Sequence, residues 1–176
     1  MLRLFVGIEL PDTVRQALAE LREAHPAARW HEPEQLHLTL SFIGQVEQGR
    51  VQSIARALVD PPGPPFELAV QGVGYFGSAE RPRIIWAGVA DSAPLYRLQQ
   101  QVEARLLPLG LQLDERPYTP HITLARVRQG LPLQTFLQRH GTLGLPAFTV
   151  EHICLFLSSG GERGVRYQVL QRFPLA

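Results

Sequence analysis

The sequence predicts an α+β fold of two similar lobes, each an antiparallel sheet with helices on its outer face and a cleft between the lobes. Three observations lead there. Leu36-His37-Leu38-Thr39-Leu40 has a counterpart in Pro120-His121-Ile122-Thr123-Leu124. The order strand–helix–strand–helix–strand occurs twice along 176 residues. Landmarks also recur at nearly one offset: 84 residues separate His37 from His121, 82 separate Phe66 from Phe148, and 80 separate Arg3 from Arg83. Helices covering the Leu38/Leu40 and Ile122/Leu124 faces would leave the His37/Thr39 and His121/Thr123 faces to line the groove between two lobes about a pseudo-twofold axis. The chain then reads as one bilobal domain, 1–176, with approximate repeat units 1–82 and 83–176. A terminal strand can cross over, so the lobes need not follow the halves.

Each element follows from its residues. Leu4 to Leu10 is a strand, and Pro11 opens a helix whose Val14, Ala17, Leu18 and Leu21 recur at helical spacing before His25-Pro26 stops it. Trp30 to Gln35 reads as a loop, and the first His/Thr strand runs from Leu36 to Ile43, ended by Gly44. Val51, Ile54, Ala55 and Leu58 form a second helical stripe, followed by the stiff connector Asp60-Pro61-Pro62-Gly63-Pro64-Pro65. Phe66 to Phe76 is a strand loosened by Gly72 and Gly74; these are strand irregularities and not a phosphate loop, because no helix follows them. Arg83 to Val89 returns as a strand. Ser92 and Pro94 open a third helix that buries Leu95, Leu98, Val102 and Leu106, with Gly110 past its end. Tyr118 to Val127 carries the second His/Thr pair, and Pro132 to His140 is a short helix. Phe148 to Leu157 and Val165 to Phe173 form a last hairpin around Ser158-Ser159-Gly160-Gly161.

Composition narrows the class. Hydrophobic content of 45% and charged content of 19% describe a globular chain with a sizeable core. No apolar run approaches the roughly 18–20 residues that span a bilayer. The segment Met1 to Leu10, with its Gly7 and Glu9, reads as a strand and not as a signal peptide. One cysteine, Cys154, excludes an internal disulfide and suits the cytoplasm. Net charge is only +1, so charge alone does not call for a long nucleic-acid footprint. All 17 basic residues are arginine, a pattern that a composition bias accounts for at most of those positions.

The repeated motif carries the chemistry. A strand has a side-chain period of 2, so His37 and Thr39 share one face while Leu38 and Leu40 share the other, and His121/Thr123 and Ile122/Leu124 divide the same way. Imidazole has an unperturbed pKa of about 6.5 and serves as base or acid near neutrality. Two histidines across a cleft fit in-line displacement at phosphorus: one deprotonates a water, the other protonates the departing oxygen. The threonine hydroxyls can hydrogen-bond the non-bridging oxygens where charge accumulates. No metal or cofactor is required. The competing expectation is a metal site in which His37 and His121 are joined by His31 or by His152 and Cys154, but Asp and Glu do not fall at ligand spacing. His25, His31 and His140 are expected to be solvated or capping. His152 and Cys154 are expected to pack, Trp30 and Trp86 to anchor core or loops, and Ser158 and Ser159 to make a turn.

At this point the chain resembles the two-histidine phosphoesterase superfamily, and within it the RNA 2′,3′-cyclic phosphodiesterases, also called 2′–5′ RNA ligases. The resemblance rests on Arg3-Leu4-Phe5-Val6-Gly7-Ile8 and His37-Leu38-Thr39-Leu40-Ser41-Phe42-Ile43-Gly44. It continues through Pro120-His121-Ile122-Thr123-Leu124-Ala125-Arg126 and the closing Arg166-Tyr167 strand. It implies His37 as the acid on the leaving 3′-oxygen, His121 as the base on water, and a 2′-phosphate product. Thr39 and Thr123 would bind the phosphate, Arg126 would also contact it, and Phe42 would stack near the terminal base. Strict alternation puts Phe42 and Arg126 on the face opposite the histidines, so those two roles require a twist, a bulge or a long reach. The implied partner is an RNA end or short oligonucleotide with a cyclic phosphate, met by a monomer without an obligate protein partner, cofactor or membrane. Ligation is the same reaction reversed. An RNA-end or nucleotide binding module without turnover is the rival, and it would need neither acid nor base.

Overall fold

The computed structural model describes residues 1–128, 133–161 and 164–176. Ten strands and four α-helices alternate along them. β1 is Leu2–Glu9, α1 Asp12–Ala19, β2 Ala28–Trp30, β3 His37–Val46 and α2 Val51–Leu58. β4 is Phe66–Leu68, β5 Val70–Gly77, β6 Pro82–Val89, α3 Ala93–Leu106 and β7 Ile122–Val127. α4 is Leu133–His140, β8 Phe148–Val150, β9 His152–Ser159 and β10 Arg166–Pro174. Pro132, expected to open α4, lies outside the described residues.

The strands form two four-stranded antiparallel sheets, sheet A in the order β10-β9-β1-β3 and sheet B in the order β2-β7-β6-β5, plus a separate ladder of β4 with β8. The sheets therefore do not follow the halves 1–82 and 83–176. Sheet A draws β1 and β3 from the first and β9 and β10 from the second, while sheet B draws β2 and β5 from the first and β6 and β7 from the second. The β4–β8 ladder explains the exchange. Phe66 pairs with Val150, Glu67 with Thr149 and Leu68 with Phe148. At an offset of 82 residues Glu67 opposes its own counterpart, so the pseudo-twofold axis passes through the Glu67/Thr149 pair. Each chain half reaches the axis, pairs there, and continues into the other sheet.

The core follows the predicted pattern. Leu38, Leu40, Ile122 and Leu124 are 0–2% exposed and belong to one apolar cluster with Ile54 and Leu58 of α2 and Leu95, Leu98, Val102 and Leu106 of α3. Ser92 caps α3, its hydroxyl accepting the Leu95 amide at 3.2 Å. On the opposite face of sheet A, Phe5, Cys154 and Phe156 form a second small cluster with Tyr167 and Val169.

Four expectations need correction. β2 occupies part of the expected Trp30–Gln35 loop, because Ala28, Arg29 and Trp30 pair with Val127, Arg126 and Ala125; the tertiary ladder overrides a segment without periodicity. β3 runs through Gly44 to Val46. The strands drawn as Phe66–Phe76 and Phe148–Leu157 are each two, broken at Ala69 and Glu151 where the chain leaves the axis ladder for a sheet. β7 begins at Ile122, so Tyr118 to His121 form an irregular lead-in and His121 precedes the strand.

Candidate active site

Both motif strands carry the same irregularity. Along β1 and β3, Val6 opposes Ser41 but Gly7 opposes Thr39, so Leu40 is an extra residue. Along β6 and β7, Ile85 opposes Ala125 but Trp86 opposes Thr123, so Leu124 is extra. A bulge of this kind reverses side-chain parity beyond it. Burial shows the reversal: Leu40 and Ser41 are both buried, as are Leu124 and Ala125, while Phe42 and Arg126 are exposed. The expectation that Phe42 and Arg126 face away from the histidines is thus wrong; both share the face of His37/Thr39 and His121/Thr123. The β2 extension serves the second bulge, with the His31 amide donating to the Leu124 carbonyl at 2.8 Å.

His37 is half-buried among rings. Its centroid lies 4.7 Å from Phe5, 4.7 Å from Tyr167 and 5.6 Å from Phe156. Phe5 in turn lies 5.8 Å from Phe42, which is 56% exposed. Nδ1 of His37 is 2.8 Å from the Gln35 carbonyl and Nε2 is 3.0 Å from Thr39 Oγ1. A carbonyl only accepts, so Nδ1 carries the proton of the neutral ring and Nε2 accepts from the Thr39 hydroxyl. His121 repeats the first of these contacts, with Nδ1 2.7 Å from the Thr119 carbonyl. In both rings the nitrogen left for chemistry is Nε2. The His121 ring stands edge-on at 4.7 Å from Phe76 and lies 6.5 Å from Trp86. Trp86 can lie there because Gly74 on the neighbouring strand has no Cβ; one would sit 2.4 Å from the indole.

Burial depresses both imidazoles. It pushes the His37 pKa down to about 4, helped by the nearby His31, His121 and Arg15 and opposed by the hydrogen bond to Gln35. Burial lowers His121 too, against the Thr119 hydrogen bond. The lobes are tied at Thr39, the Tyr118 hydroxyl donating to its carbonyl at 2.6 Å.

Some residues at this face carried no readable signal. His31, expected to be solvated, is half-buried, its pKa pushed down to about 4 by burial and by Arg126 and Arg29. Trp86, expected to be an anchor, shares the His121 side of sheet B. Arg126 acts electrostatically on Tyr167, the ring edge-on to His37; only the closing Arg166-Tyr167 resemblance pointed that way. Trp30 turns to the core against Phe136, at 5.5 Å. His25 and His140 lie apart from this face; His25 Nδ1 accepts the Ala27 amide at 3.0 Å.

A second polar group occupies sheet A beyond His37. Glu9 Oε1 lies 3.0 Å from His152 Nε2 and accepts from Arg172 Nε at 2.7 Å and Cys154 Sγ at 3.3 Å. The donor atoms of Glu9, His152 and Cys154 lie within 4.8 Å of one another, a possible cation set. Its chemistry fits a cation poorly. Arg172, hydrogen-bonded to Glu9, holds that carboxyl down at about 2 and adds a positive charge, while burial pushes the Cys154 thiol up and keeps it protonated. Neither His37 nor His121 joins this set.

The profile of the 2′-5′ RNA ligase superfamily matches residues 10–162. The chain belongs to that superfamily. An RNA 2′,3′-cyclic phosphodiesterase of Geobacillus stearothermophilus is 34% identical over 97% of this chain, and the chain spans 56% of the length of that relative. A protein of the same name from Aeropyrum pernix is 32% identical over 90% of this chain and 95% of its own length. Escherichia coli LigT, crystallised with 3′-AMP, superposes with a TM-score of 0.83 over 99% of this chain and 98% of LigT, at 24% identity, and so shares the fold. In this superfamily member both His/Thr strands carry the same one-residue bulge. Among the described residues no helix is long and apolar enough to cross a membrane.

Proposed function

We propose that the protein is an RNA 2′,3′-cyclic phosphodiesterase that opens terminal cyclic phosphates to 2′-phosphate ends by metal-independent general acid–base catalysis. The observation that carries this reading is the matched pair of imidazoles, each with Nδ1 fixed on the carbonyl two residues before it and Nε2 left for chemistry. The relatives named for this activity support it. His121 Nε2 takes a proton from water as the water oxygen bonds to phosphorus. The bond from phosphorus to the 3′-oxygen breaks, and His37 Nε2 delivers its proton to that oxygen. Thr39 and Thr123 donate hydroxyl hydrogen bonds to the non-bridging oxygens, with Arg126 as a further cation, and Phe42 stacks on the terminal base. The anionic phosphate offsets the burial that otherwise strips His37 of its proton.

Run in reverse, the same geometry joins a hydroxyl end to a cyclic phosphate, and water favours the hydrolytic direction. We place the enzyme in the cytoplasm as a monomer acting on RNA ends or short oligonucleotides without an obligate protein partner. The test is incubation of purified protein with a cyclic-phosphate-ended oligonucleotide in the presence of EDTA. Turnover that persists in chelator and falls in His37→Ala and His121→Ala supports the reading. Loss of turnover on chelation removes metal independence, and tight binding with unchanged ends replaces the enzyme with a binding module.

A further inference from the structure

Arg29 and Arg126 are direct partners on the adjacent antiparallel strands β2 and β7, so their side chains leave the sheet on one face. Like charges placed directly opposite destabilise a ladder unless something neutralises them. Ion pairs among the described residues engage Arg15, Arg22, Arg116, Arg139 and Arg172, and none engages Arg29, Arg126 or Arg3. Arg3 sits on β1 opposite the neutral Ser158 and Gln45. Tyr167, also opposite Ser158, feels the charge of both Arg126 and Arg3.

This rim is fixed across both sheets. The Arg29 guanidinium lies against Gly164 in the β9–β10 turn, where φ is +101° and a Cβ would meet Nη2 at 2.6 Å. Beside it Gln35 Nε2 donates to the Val165 carbonyl at 2.6 Å. Net charge is +1 over the whole chain, so three arginines gathered at one end of the cleft are a local concentration. The other end of the same β1 face carries Glu9, already paired with Arg172.

We propose that Arg29, with Arg3, binds the phosphodiester upstream of the reacting nucleotide while its neighbour Arg126 serves the reacting phosphate, so that the enzyme selects single-stranded RNA ends over cyclic mononucleotides. This rests on the phosphodiesterase reading for its substrate. The terminal nucleoside lies over the rings beside His37, and its 5′-phosphate faces the arginine rim bordered by Tyr167. A 5′-hydroxyl cyclic mononucleotide has no such phosphate, and a free mononucleotide with a 5′-phosphate has one without being RNA.

The experiment compares kcat/KM for three substrates: a 5′-hydroxyl nucleoside 2′,3′-cyclic phosphate, its 5′-phosphorylated form, and a trinucleotide ending in the cyclic phosphate. Wild-type protein should prefer the trinucleotide, with the 5′-phosphorylated monomer intermediate. Arg29→Gln should cut the trinucleotide-to-monomer ratio by roughly tenfold, the loss expected for one charge-assisted contact, and Arg29→Lys by less. In parallel, anisotropy of a labelled trinucleotide ending in a 3′-phosphate reads binding alone; Arg29→Gln should flatten the salt dependence of log K by about 0.7. Equal loss on all three substrates, or no loss on any, overturns the proposal. If no substrate turns over, the phosphodiesterase reading fails by itself, and the anisotropy result still decides whether Arg29 holds an upstream phosphate.

Discussion

Two backbone carbonyls, those of Gln35 and Thr119, fix the Nδ1 proton of His37 and His121, and the proposed chemistry falls to Nε2 of each. On the proposed mechanism, removing either imidazole removes an acid or a base and leaves the main apolar cluster in place. His37→Ala and His121→Ala are each expected to lower kcat/KM by roughly 10²–10⁴-fold with unchanged circular dichroism. The depressed pKa values set a direction for pH. In the free protein one ring must be protonated and the other neutral, and both titrate below 6.5, so kcat/KM should peak on the acid side of 6.5. Bound phosphate raises both pKa values, so the kcat optimum should lie at higher pH; an inverted order contradicts this electrostatic account. Stability follows the same sign. His31 and His37 hold folded pKa values of about 4 against 6.5 unfolded, so the unfolded chain takes up protons first as pH falls. The melting temperature should drop between pH 6.5 and 4, and His31→Gln should shrink that drop. The His/Thr spacing was readable because chemistry and strand period coincide in it. His31 and Trp86 were not, because their place is set by ladders to residues far along the chain.

Within an element, neighbouring residues of β7 perform unlike tasks. Ile122 is 0% exposed in the core, and Ile122→Ala should cost roughly 2–5 kcal/mol in chemical denaturation. Thr123 is half-buried on the opposite face, and Thr123→Ala should change stability by less than about 1 kcal/mol while lowering turnover. If both variants lose stability equally, the assignment of faces is wrong. Periodicity placed Leu38, Leu40, Ile122 and Leu124 in the core correctly. It misplaced Phe42 and Arg126 because a bulge is one extra residue with no composition of its own, visible only in the register against a partner strand. The breaks at Ala69 and Glu151 were hidden for the same reason: β4 and β8 pair with each other and not with the sheets that follow them.

At the scale of the molecule, the offset of about 80 residues revealed the repeat, but not that each sheet mixes strands from both halves. That mixing has a consequence for folding. Residues 1–82 and 83–176 produced separately should each lack cooperative thermal unfolding, because β1 needs β9 and β6 needs β5 as ladder partners; a cooperative melt for either piece would contradict the exchange. On the proposed mechanism the same interleaving has to bring one histidine from each half to a common phosphate. The most direct measurement of that arrangement is phosphorus NMR on the product from a defined oligonucleotide 2′,3′-cyclic phosphate. A single 2′-phosphate isomer, lost in both histidine variants, is the predicted result; a 3′-phosphate, a mixture of isomers, or undiminished turnover without either imidazole would contradict it.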